Sequence, residues 1–313
     1  MKTRLLFLAV LLFLAAMAGG YAYWWYGGLD QTGAATPATF QIVRHDNLVY
    51  FLGAGADLEK NSLAVLAPEG QVRAPVAILL HGGGWTSGYR QEAPLVQNAE
   101  WLAARGVLAV PLDYRLVPAV PPTEQPWDVA HGIDWVFRHI DEYGGDPERI
   151  VLVGHSAGGH LAALVTADRR YLDELGVPAS VPAGVIALAG MFDLRDDPNR
   201  LTRINRKIAD ETFGTDPARR AAISPVVFAR PGMPPFLLLR GRGDHLVRRE
   251  QNEALVEALR RAGDPVEVLD IKGRTHKTLF DHLNVSGDIA GEAVLRFIRE
   301  IKPRPVAAPP PAE

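Results

Sequence analysis

Short apolar runs and longer amphipathic stretches alternate along the middle of this chain. Val76–Leu80, Val107–Leu112, Ile150–Val153, Val185–Ala189, Phe236–Leu239 and Val266–Ile271 are each four to six residues long and rich in Val, Ile and Leu. Runs of that length predict strands of a covered sheet. Glu92–Ala104, Gln125–Tyr143, Ala157–Ala167, Glu250–Ala262 and Ile289–Ile301 carry apolar residues at helical spacing and predict helices between and after them. The alternation implies an α/β fold, a mostly parallel central sheet with helices on both faces. Residues 40–66 are less regular and are expected to form an opening antiparallel hairpin. The charged stretch 194–222 breaks the alternation and is expected to form a small helical lid over one end of the sheet.

The two ends differ from the middle. Lys2 and Arg4 precede a charge-free run from Leu5 to Ala18, the pattern of an export signal. Small residues at Ala16 and Ala18 suit cleavage, while the apolar run from Leu5 to Tyr26 is 22 residues, long enough to span a bilayer core of about 20 residues. Residues 1–26 are therefore read as a signal peptide or a signal anchor, with the rest of the chain outside the cytoplasm, periplasmic, extracellular or tethered to the membrane through residues 5–26. Residues 27–39 read as a linker, 40–302 as one domain, and the Pro/Ala-rich 303–313 as a disordered tail.

Composition narrows the chemistry. A net charge of -3 without a long basic run argues against a nucleic-acid partner. The absence of cysteine removes a thiol nucleophile, a disulfide framework and a thiolate metal site.

The strand Ile150–Val153 runs into Gly154-His155-Ser156-Ala157-Gly158 and then a helix, the context that a nucleophile elbow requires. A serine on such a turn stands clear of the sheet. The N–H of Ala157, at a helix N-terminus, then faces developing negative charge. Val76–Leu80 ends in His81-Gly82-Gly83-Gly84-Trp85, and three glycines at a strand end let backbone N–H groups approach a substrate. Gly83, Gly84 and Ala157 are the expected oxyanion donors. His81, before the glycines, is expected to tie the loop down rather than act as base, and Trp85 to line the pocket.

The partners of such a serine follow it in the order acid, then histidine. Phe236–Leu239 leads through a turn to Asp244, and Val266–Ile271 leads through a turn to His276, both at strand ends. Asp193 also follows a strand and is the second choice of acid; Asp264 and Asp270 read as turn and strand residues. His282 falls in a following helix, His245 lies beside Asp244, and His155 and His160 are expected to pack against the elbow. Ser156, Asp244 and His276 are the expected catalytic residues.

These motifs, together with Asp113-Tyr114-Arg115-Leu116, resemble those of the α/β-hydrolase serine esterases, the hormone-sensitive-lipase-like enzymes and the group of feruloyl esterase-type and arylformamidase-type hydrolases. The likeness covers roughly residues 70–300. It implies the α/β-hydrolase fold and a supporting role for Asp113 and Arg115 near the oxyanion loop. The span from 27 to about 60 is short for the N-terminal cap of the lipase-like enzymes, and Gly-His-Ser-Ala-Gly-Gly-His leans towards the second group.

The expected activity is hydrolysis of a small-molecule carboxylic ester through an acyl-enzyme on Ser156, with no cofactor and no metal. The same machinery would serve an amide-bond hydrolase, an arylformamidase or peptidase. A membrane-tethered binding protein without catalysis is the reading from another class.

Overall fold

The computed structural model of the protein describes residues 40–304. The leader 1–26, the linker 27–39 and residues 305–313 of the expected tail lie outside them. An eight-stranded sheet runs in the order β1 (Ile42–Val49), β2 (Ser62–Pro68), β4 (Leu108–Leu112), β3 (Ala74–Leu80), β5 (Gly145–His155), β6 (Gly184–Leu188), β7 (Phe236–Gly241) and β8 (Val266–Ile271). β1 pairs antiparallel with β2, and β2 with β4, so the opening hairpin is present; every later pairing is parallel.

Both faces of the sheet are covered, which is why its strands read as near-continuous apolar runs. On β3, Val76, Ile78 and Leu80 point into one core. There they join Val129, Ile133 and Val136 of α2 (Gln125–His139) and Leu161 and Leu164 of α3 (Ala157–Ala167). Ala77 and Leu79 point the other way, into a core shared with Leu95 and Leu102 of α1 (Ala93–Ala103) and with Val294 and Ile298 of the C-terminal helix Ile289–Glu300. Every residue of α3 is buried, as a helix directly behind a central strand must be.

The expected helix Gln125–Tyr143 is α-helical only to His139, then tightens into a 3-10 turn, Ile140–Tyr143, ended by left-handed Gly144. Residues 194–222, the stretch expected to form a lid, are helical in two places. After the short α4 (Arg170–Glu174) come α5 (Arg203–Phe213), capped by the Thr202 side chain, and α6 (Pro217–Ala221). The remaining helices are α7 (Arg249–Ala262), the single turn α8 (Thr278–Asp281) and α9 (Ile289–Glu300). At the far end, the Arg304 guanidinium donates to the carbonyls of Ala179 and Pro182 at 3.2 Å each and to that of Gly232. The chain is thus held to the domain two residues past the expected boundary at 302. No helix among the described residues is long and apolar enough to cross a membrane.

Candidate active site

Ser156 sits between the last residue of β5 and the first of α3, with φ 53° and ψ −115°. Left-handed backbone at a non-glycine residue is strained by about 1–3 kcal/mol and persists only where its surroundings enforce it. Here the enforcing contact is close. A Cβ on Gly158 would lie 2.3 Å from Leu80 O and 2.5 Å from His81 O, so the first turn of α3 presses against the end of β3. That packing fixes the elbow and lifts the serine hydroxyl out of the sheet edge.

The Ser156 hydroxyl lies 3.0 Å from His276 Nε2, and His276 Nδ1 lies 2.9 Å from Asp244 Oδ2. A carboxylate can only accept, so Nδ1 carries the proton and Nε2 is left to accept from Ser156. The other carboxylate oxygen of Asp244 takes the amides of Leu246 and Val247, at 2.8 and 2.9 Å. Asp244 ends the turn after β7 and His276 the turn after β8, so neighbouring parallel strands deliver the two side chains to one edge.

The glycine loop after β3 stands opposite. Gly83 has φ 121° and Gly84 φ 58°, and a Cβ on Gly83 would meet Ser87 O at 2.0 Å. The Gly83 carbonyl is consumed by the amides of Thr86 and Ser87. Among the described residues, no protein acceptor takes the N–H of Gly83 or Gly84, and the Ala157 N–H is one of the unpaired amides at the start of α3. Gly83 and Gly84 border the space in front of Ser156, and Ala157 follows the serine directly. Gly83 and Gly84 line a cavity of about 310 Å³ together with Trp85, His155, Ser156, Met191, Asn205, Ile208, Leu246, Val247, His276 and Lys277. A larger hollow of about 690 Å³ between α7 and β8 contains none of these groups.

The neighbouring histidines hold the scaffold. His155 donates through Nε2 to the backbone carbonyl of His276 at 2.9 Å and stacks on Phe280; burial, helped by the nearby His276, pushes its pKa down to about 3. His160 accepts from Trp85 Nε1 at 3.1 Å and donates to Ile223 O at 2.7 Å, and burial pushes its pKa down to about 4. Trp85, 2% exposed, therefore serves as a fixed wall of the cavity. His81 donates to Gly82 O at 2.7 Å and stacks on Tyr114, whose hydroxyl donates to His81 O at 2.9 Å. Burial lowers its pKa to about 4 as well.

Asp113 holds Arg90, accepting from its amide at 2.7 Å and its guanidinium at 2.9 Å, while Arg115 grips Asp128 through Nε and Nη2. Gln125 links the two sides by donating to the carbonyls of Trp85 and Arg115.

The rival carboxylates are otherwise engaged. Asp193 is buried, which would raise its pKa, but hydrogen bonds from Arg195 and Arg200 outweigh that and leave it below the usual carboxylate range. Asp264 accepts from Gly232 N and Asp270 from Arg240. His282 ends α8 without a bond to Ser156 or Asp244, and His245 is exposed. Among the described residues, no group of three or more His, Asp or Glu side chains is arranged to hold a metal ion. Asn205 and Ile208, within the 194–222 stretch expected to form a lid, line the cavity; sequence reasoning passed over Met191, Leu246, Val247 and Lys277, which line it too. Of these only Met191, just past a strand end, and Lys277, beside the base, had a positional signal.

The BD-FAE family model matches residues 63–259. Among curated proteins the chain is similar to LipM, a probable carboxylic ester hydrolase of Mycobacterium tuberculosis, at 32% identity over 73% of this chain and 54% of that protein. It is also similar to ICMEL1, a probable isoprenylcysteine alpha-carbonyl methylesterase of Arabidopsis thaliana, at 29% identity over 72% of this chain and 50% of that protein. The chain spans about half the length of the curated relatives it matches. Among solved structures, a thermophilic esterase from the Planctomycetes species Thermogutta terrifontis, with propionate bound, matches with a TM-score of 0.60 and 26% identity over 84% of this chain and 93% of that one. A truncated carbohydrate esterase from gut microbiota matches with a TM-score of 0.69 at 19% identity, a likeness of fold alone, covering 86% of this chain and 99% of that one.

Proposed function

The chain belongs to the BD-FAE family, within the α/β-hydrolase-fold serine esterases, and from that premise we propose that it hydrolyses small carboxylic esters through an acyl-enzyme on Ser156. The observation that carries the reading is the hydrogen-bonded line from Ser156 Oγ to His276 to Asp244, at 3.0 and 2.9 Å.

In the proposed cycle, Ser156 Oγ attacks the ester carbonyl carbon while His276 Nε2 takes its proton. The carbonyl oxygen becomes an oxyanion held by the N–H groups of Gly83, Gly84 and Ala157. Asp244 keeps the imidazole in the reactive tautomer and stabilises the imidazolium. The imidazolium then protonates the departing alkoxide, leaving the acyl group on Ser156. Water, deprotonated by the same Nε2, attacks the acyl-enzyme and releases the acid and the free serine. A cavity of about 310 Å³ with mostly apolar walls supports short acyl groups, in keeping with the propionate and butyrate bound in the Thermogutta terrifontis structures.

We also propose that this chemistry takes place outside the cytoplasm, on the strength of the charge-free run Leu5–Ala18 behind Lys2 and Arg4. Fractionation of expressing cells tests it; activity confined to the cytosol would count against it.

The test of the esterase reading is turnover of p-nitrophenyl esters of increasing acyl length by the full-length protein in mild detergent, beside Ser156→Ala. Turnover should fall by about four to six orders of magnitude in the variant. Equal rates in the two proteins would sink the mechanism, and turnover of N-formyl anilides without any ester hydrolysis would move the reading to an amide substrate.

A further inference from the structure

The cavity in front of Ser156 is walled largely by apolar side chains, including Trp85, Met191, Ile208 and Val247. One carboxamide interrupts that wall. Asn205, in the first turn of α5, borders the cavity and is 3% exposed. The orientation of its amide is set by its neighbours. Leu246 O can only accept, and it takes Asn205 Nδ2 at 2.7 Å and Thr202 Oγ1 at 3.1 Å. Thr202 Oγ1 in turn accepts the Asn205 amide at 3.0 Å.

With Nδ2 committed, Asn205 Oδ1 is left without a protein partner among the described residues. It is not one of the fully enclosed unpaired atoms, so it still touches open space, and the cavity is the space this side chain borders. The contrast with Gln251 is instructive. That buried amide spends its oxygen on the amides of Phe192 and Asp193 and its nitrogen on the carbonyls of Asp193 and Arg200. Gln251 is a complete structural clamp, whereas Asn205 clamps with one half only.

An acceptor left open in an apolar cavity loses water when substrate enters and must be paid back by the substrate. We propose that Asn205 is a specificity-determining residue, and that its Oδ1 selects esters carrying a neutral hydrogen-bond donor, a hydroxyl above all, on the part that lies under α5. A neutral donor is favoured over a cation because no carboxylate is among the described residues that line the cavity, and Asp244 behind it is turned to His276 and to the Leu246 and Val247 amides. The Lys277 ammonium at the rim is itself a donor and is paired with Asp281, so it does not compete for the same substrate group. This inference rests on the esterase reading above.

Two matched ester pairs test it with the full-length protein. On the acyl side they are p-nitrophenyl 3-hydroxybutyrate and p-nitrophenyl butyrate; on the alcohol side, 2-hydroxyethyl butyrate and propyl butyrate. In one pair kcat/KM should favour the hydroxy ester by about 10- to 100-fold, since an unpaired acceptor penalises the analogue that lacks the donor. Asn205→Leu, or Asn205→Ala if the leucine variant folds poorly, should bring that ratio close to one. Thr202→Val removes the other donor to Leu246 O and the cap on the Asn205 backbone amide but keeps the Asn205 carboxamide, and should keep the preference; a purely structural role for this cluster would make the two variants alike. Ratios near one in both pairs, or a preference that survives Asn205→Leu, would overturn the proposal while leaving the esterase standing. Failure to hydrolyse any of the four esters would overturn both together.

Discussion

The histidines packed around the elbow make acid stability a sharp test of the structure. His81 and His160 have pKa values near 4 and His155 near 3, in each case because burial disfavours the charged ring. In the unfolded chain each returns to about 6.5. Between those values the unfolded state binds the extra proton, so the stability these groups contribute is fully present above about pH 6.5 and is lost as pH falls towards their folded values. At pH 5 the loss is about 2 kcal/mol for each histidine and roughly 6 kcal/mol for the three, against a total stability of about 5–15 kcal/mol for a typical domain. Asp113 and Glu92, whose pKa values burial raises, act with the opposite sign and soften the fall.

Urea unfolding followed by tryptophan fluorescence at pH 7 and pH 5 reads this directly. With an m-value of about 3 kcal/mol/M, the midpoint should drop by up to about 2 M. His160→Met isolates one contribution. The variant loses its bonds to Trp85 and Ile223 and is less stable at pH 7, yet its loss between pH 7 and pH 5 should be smaller by about 2 kcal/mol. A midpoint that does not move between the two pH values, or a variant with the wild-type pH dependence, would refute the reasoning.

Two further outcomes follow from contacts around the site. Gly158→Ala drives a Cβ to 2.3 Å from Leu80 O and should give little folded protein, whereas Gly84→Ala, whose Cβ meets only Ile208 Cγ2 at 3.8 Å, should fold with a melting temperature lowered by a few degrees, the strain of left-handed alanine being about 1 kcal/mol; equal melting temperatures for the two would contradict the packing described. Arg115→Met leaves the Asp128 carboxylate, 0% exposed, without its guanidinium, and should cost about 3–5 kcal/mol by thermal unfolding, while the double change Arg115→Met/Asp128→Leu should recover most of it.

What was legible in the sequence was what short segments determine. The elbow reads from five residues because the strand before Ser156, the helix after it and the glycine that lets α3 approach β3 all lie within one turn. The sheet reads from its strands because both faces are covered. The choice between Asp193 and Asp244 was another matter, since each follows a parallel strand, β6 or β7, and position alone gives both a claim. Their partners separate them: Arg195 and Arg200 neutralise Asp193, while Asp244 meets two backbone amides and an imidazole. Arginines two and seven residues along are ordinary in a charged stretch, and nothing in their spacing reveals that they turn back onto the carboxylate. Asn205 was hidden more deeply still. Its importance depends on where the first turn of α5 docks, and that is decided by a carbonyl on the loop carrying Asp244, a contact between segments some forty residues apart. The same carbonyl joins α5 to the loop that carries Asp244. Leu246 therefore holds α5 through its carbonyl and Asp244 through its amide, and the first of these joins distant segments in a way that no local pattern of residues announces.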